Sequence, residues 1–96
     1  MGIELNRQSI WFAGDPLIVR YHPERSIWMV PLTDVPGRAW RARFNREAPT
    51  APDVAIAARW DGIRFEATPA NFQSQVANVR ALVEHANMPD SRRTTP

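Results

Sequence analysis

Arg41, Arg43, Arg59 and Arg64 are the residues whose type and spacing best suit chemistry at a surface. Each stands at an alternate position in a short apolar stretch, which on an extended backbone sends all four guanidinium groups to one side. Fixed, planar, permanently charged forks of this kind recognise carboxylates or phosphates. An acidic protein surface is the first partner class that they imply. A nucleic acid bound without sequence preference, through the same four and Arg92 and Arg93, is the second. Single-strand binders interleave aromatics with the basic residues so that bases can stack, but the tryptophans here fall on the opposite parity. The acidic protein partner is therefore the leading reading.

His22, with Asp15, Glu24 and Asp34 nearby in sequence, is the one arrangement that suggests general acid or base work. No nucleophile motif accompanies it, and glycines at 2, 14, 37 and 62 are too scattered to cradle phosphate. The expectation is a non-enzymatic interaction module of the regulator, adaptor or inhibitor type, with no cofactor. The chain has no cysteine, which removes disulfides and thiolate metal sites, and two histidines at 22 and 85 make no cluster, so no metal is expected. No apolar run approaches the ~20 residues that cross a bilayer, and no export leader is evident. A cytoplasmic location without a membrane partner follows as an expectation.

Charge is distributed unevenly along the 96 residues. Residues 35–64 hold six Arg against Glu47, Asp53 and Asp61, whereas the flanking stretches 1–34 and 65–87 are each one charge negative. The sequence pI of about 10.4 overstates the basicity, since the net charge is only +2 and every basic residue is an arginine.

The elements that must position these groups follow from periodicity. Phe72, Val76, Val79, Leu82, Val83 and Ala86 share one face of a helix. Thr68 and Pro69 mark its start, His85 suits its negative end, and Asn87 with Pro89 marks its stop. Upstream, residues 17–22 and 27–32 read as a hairpin, and residues 40–44 as a strand with Trp40, Ala42 and Phe44 inward. The opening shifts phase before Ile10, Trp11 and Phe12, which suggests a bulge or two short strands.

Asp61-Gly62 marks a second hairpin, pairing Trp60 with Ile63, Arg59 with Arg64 and Ala58 with Phe65. Val54, Ile56, Ala58, Trp60, Ile63, Phe65 and Ala67 then face the helix, and Ala55, Ala57, Arg59, Arg64 and Glu66 face away. The predicted fold is α+β: an antiparallel sheet of about five strands with one C-terminal helix across one face. Residues 1–88 form a single domain and 89–96 a disordered polar tail.

Residues 27–32 are apolar at both parities, which leaves one face of that strand needing cover. A homodimer through the 17–32 hairpin, with Trp28 as its anchor, would supply it.

Overall fold

The alternation at 17–22 and 27–32 produces β1 (Leu17–Arg20) and β2 (Ser26–Val30), antiparallel, with Leu17 opposite Met29 and Ile18 opposite Trp28. The register slips between Ile18 and Arg20, so Val19 is the extra residue of a bulge. A computed structural model describes residues 9–88 of the chain. The phase shift expected in the opening and the tail at 89–96 fall wholly or partly outside those residues. Within them, residues 11–13 run beside 31–33, with the Ala13 N–H donating to Pro31 O at 2.8 Å and a bridge joining Phe12 to Leu32.

Residues 40–44 are not a strand. They lie in a helix, α1 (Arg38–Glu47), whose buried residues are Trp40 and Phe44. A separation of four is two strand periods and about one helical turn, so this pair alone suits either geometry. Ala42 separates the two: a strand would put it beside Trp40 and Phe44, whereas the helix leaves it exposed. Alanine and arginine are also among the better helix formers.

The second hairpin is β3 (Ile56–Arg59) and β4 (Gly62–Ala67), but its register differs from the predicted one by two residues. Arg59 faces Gly62, Ala58 faces Ile63, Ala57 faces Arg64 and Ile56 faces Phe65, so Trp60 and Asp61 form the loop. Gly62 is the reason. Its φ is +146°, and a Cβ there would stand 2.7 Å from Val30 O, so only glycine lets β4 start this close to β2. A slip of two keeps every later side chain on its expected face. Trp60, expected in the core, instead stands in the loop, 66% exposed.

The C-terminal helix, α2 (Phe72–Asn87), starts three residues after Pro69. Thr68 caps a turn instead: its N–H donates to Asn71 Oδ1 at 2.7 Å, and the Asn71 N–H donates to Thr68 Oγ1 at 3.1 Å. The apolar stripe is present as expected. Val79, Val83 and Ala86 are buried, and Phe72, Val76 and Leu82 pack at the margin. Gln75 is buried among them, its Nε2 donating to Glu66 O at 2.9 Å and its Oε1 accepting from Asn78 Nδ2.

The result is an α+β fold with a four-stranded antiparallel sheet in the order β1-β2-β4-β3 and two helices, one of them C-terminal. The sheet has one strand fewer and the helix layer one helix more than the sequence predicts, because residues 38–47 change class. Trp40 and Phe44 of α1 and the α2 stripe pack with Val30, Ile56, Ala58, Ile63, Phe65 and Ala67 in a single core on one side of the sheet. Among the described residues, no helix is long and apolar enough to cross a membrane.

Candidate interaction surfaces

The sheet side away from the helices is built row by row from the register. One row reads Leu17, Met29, Arg64, Ala57, and the next reads Arg20, Ile27, Glu66. Ile27 and Met29 are the second face of β2 that the sequence left without cover. They are half-buried here, flanked within the sheet by Leu17 and by the stems of Arg20, Arg64 and Glu66, whose charged heads stay wet.

Arg59 and Arg64 lie together on this open side, as the alternation requires. They line a shallow hollow of about 310 Å³ together with Ala55, Ala57, Pro49, Thr50 and one carboxylate, Glu66, which is held by Arg25. Arg64 reaches Asp61 at 3.9 Å, and its buried Nε has no hydrogen-bond partner. Arg59 is exposed and, among the described residues, has no carboxylate partner. Arg25 is engaged instead: it binds Asp53 at 2.9 Å and Glu66 at 3.0 Å. Those carboxylates, the Asp53 hydrogen bond first, raise its pKa above the ordinary guanidinium value.

Arg41 and Arg43 are elsewhere. As parts of α1 they lie in the helix layer, so the four-arginine face divides into two surfaces. Arg43 Nε donates to Ala86 O at 3.0 Å in the last turn of α2, where a cation meets the negative end of the dipole. Arg41 is half-buried, with its Nε unpaired. With Arg38 and Arg46, both exposed, they make α1 the most arginine-rich element. The spacing Arg38, Arg41, Arg43, Arg46 is a helical signal for this surface that the strand reading concealed.

Trp28 is on the covered side. Its ring lies 4.6 Å from that of Phe72 and stacks on Phe65 at 6.4 Å, so it packs against the core. His22 lines an open groove of about 690 Å³ with Arg20, Tyr21, Glu24, Arg25, Asp53 and Glu66. Its Nδ1 accepts from the Glu24 N–H at 3.1 Å, and Ser26 Oγ bridges its backbone, accepting from the N–H and donating to the carbonyl, each at 3.0 Å. Both contacts shape the β1–β2 turn. Among the described residues, no group of three His, Cys, Asp or Glu could hold a metal ion.

Two asparagines carry structural roles that polarity alone concealed. Asn45 of α1 accepts the Ala58 N–H at 2.7 Å and donates to Ala58 O at 3.2 Å, while the Ile56 N–H donates to Pro49 O at 2.9 Å. The outer edge of β3 is thereby occupied. Asn87 joins α1, α2 and the segment at Ile10 through three hydrogen bonds. Comparison with family models, with curated proteins and with solved structures gives no match to the chain.

Proposed function

We propose that the chain is a small non-enzymatic interaction module, of the regulator, adaptor or inhibitor type, that binds an acidic protein surface through the open side of its sheet. The observation that carries this reading is that Arg59, exposed and, among the described residues, without a carboxylate partner, lines together with Arg64 a hollow beside the short side chains of Ala55 and Ala57. A carboxylate entering the hollow would meet both guanidinium groups. Ala55 and Ala57 leave room for the approaching backbone. The test is binding of a polyglutamate peptide to the whole chain and to an Arg59→Glu, Arg64→Glu double variant. The wild type binds in a salt-sensitive manner and the folded variant does not; equal affinity rejects the reading.

A second reading, sequence-independent nucleic-acid binding, is favoured by the four arginines of α1. Arg38 and Arg46 are exposed, so phosphates could be met by this helix without any base contact. It separates from the first by which pair matters. Arg38→Glu with Arg46→Glu would abolish binding of a labelled RNA and flatten its dependence on salt. An acidic-partner module would instead bind no RNA, and its peptide affinity would ignore that pair.

A further inference from the structure

The two edges of the sheet are treated differently. On β3, Asn45 and Pro49 take up edge backbone groups of Ala58 and Ile56. On β1, among the described residues, no hydrogen bond reaches the outer edge. Every residue of β1 is exposed, and Leu17, Ile18 and Val19 form an unbroken apolar run, 55%, 49% and 44% accessible. The bulge at Val19 interrupts this edge without covering it, and an apolar edge strand that no other group covers is a template for another strand.

We infer that β1 pairs antiparallel with β1 of a second copy of this chain, giving a continuous eight-stranded sheet about a two-fold axis. Charge selects this occupant and this direction. Asp15 precedes the apolar run and Arg20 ends it, both exposed. Antiparallel self-pairing brings the Asp15 end of one copy to the Arg20 end of the other, twice by symmetry, whereas a parallel arrangement would oppose like charges. The covered edge of β3 makes the assembly finite. Each copy offers one open edge, so two copies consume both and leave none for a third.

An axis perpendicular to the sheet keeps both open sides facing one way and both helix layers the other. Two Arg59–Arg64 hollows then face the same way, which would make the dimer bivalent toward an extended acidic partner. That consequence rests on the function proposed above; the pairing itself does not.

Sedimentation equilibrium of the whole chain, without any partner, tests the pairing. The wild type gives the mass of two chains, dissociating on dilution, and Leu17→Lys with Val19→Lys gives the mass of one at an unchanged circular dichroism spectrum. Asp15→Arg alone and Arg20→Asp alone each weaken the dimer by about tenfold, and the two together restore it. If the lysine variant does not fold, this exchange of charges decides. A wild-type chain that is monomeric at about 100 μM overturns the inference and leaves the edge to a strand of another protein. A folded lysine variant that still dimerises, or charge variants without rescue, overturns it as well. Because no acidic ligand is present, failure of the acidic-partner reading leaves these masses unchanged.

Discussion

The indole Nε1–H of Trp40 donates to Asn87 Oδ1 at 2.8 Å, and the same oxygen accepts the Ile10 N–H at 2.9 Å while Asn87 Nδ2 donates to Ile10 O at 2.9 Å. One side chain at the end of α2 therefore serves a residue of α1 and both backbone groups of a residue beside the sheet. Trp40 and Ile10 are fully buried, so water cannot replace what Asn87 supplies without opening the core. Asn87→Ala orphans all three groups and is expected to cost about 2–4 kcal/mol, read as the shift of a urea midpoint. Asn87→Asp keeps the acceptor that both donors use but sets a second oxygen against Ile10 O at the negative end of α2, so it should cost less only at low pH, where the protonated carboxyl can donate there. Equal losses for the two at low pH would place the effect in helix termination instead.

The turn between β3 and β4 separates two tryptophans that the sequence treats alike. Trp40 is fully buried and Trp60 is 66% exposed in the loop. Trp40→Ala is expected to cost about 3–5 kcal/mol and Trp60→Ala under about 0.5 kcal/mol. Gly62→Ala forces a Cβ into Val30 O at a φ that L-residues avoid, so about 3 kcal/mol or more is expected there, outweighing the usual gain from replacing glycine. Thermal melts of the three variants check the ranking, and a Trp60→Ala loss near that of Trp40→Ala would contradict the observed register.

These two cases show what was legible and what was not. The terminal helix stripe, the 17–32 hairpin and the sides taken by Arg59, Arg64, Ala57 and Phe65 follow from periodicity, which survives a two-residue slip because the strand period is two. The class of residues 38–47 does not, since Trp40 and Phe44 satisfy both periods and Ala42, which distinguishes them by its exposure in the structure, is an alanine that the sequence alone allows on either side. That one ambiguity moved Arg41 and Arg43 off the sheet. Asn45, Gln75 and Asn87 were illegible for another reason: their value lies in backbone groups distant in sequence, which local pattern does not encode.

Asn45 acts as a substitute strand. Its amide meets the N–H and the carbonyl of Ala58 as a neighbouring backbone would, closing an edge that is otherwise open to pairing. Asn45→Ala is expected to lower stability by about 1–2 kcal/mol. It should also give β3 a second pairing edge, seen as species beyond the dimer in sedimentation velocity. Loss of stability with no larger species would limit Asn45 to holding α1 on the sheet.

Arg25 ties the β1–β2 turn to the approach to β3 through Asp53 and to β4 through Glu66, at 2.9 and 3.0 Å. Its pKa is raised above the ordinary guanidinium value, chiefly by the Asp53 hydrogen bond and then by the Glu66 charge. A cation with a raised folded-state pKa contributes stability that is fully present below its unfolded value and is lost only as pH climbs through the folded one. That window lies at strongly alkaline pH, beyond ordinary titrations. The stability difference between wild type and Arg25→Gln should therefore be flat from neutral pH to about pH 10, measured as paired urea midpoints. All three side chains meet solvent, so the same difference should shrink with added salt. A gap that changes with pH across that range but ignores salt would assign Arg25 a packing role in place of an electrostatic one.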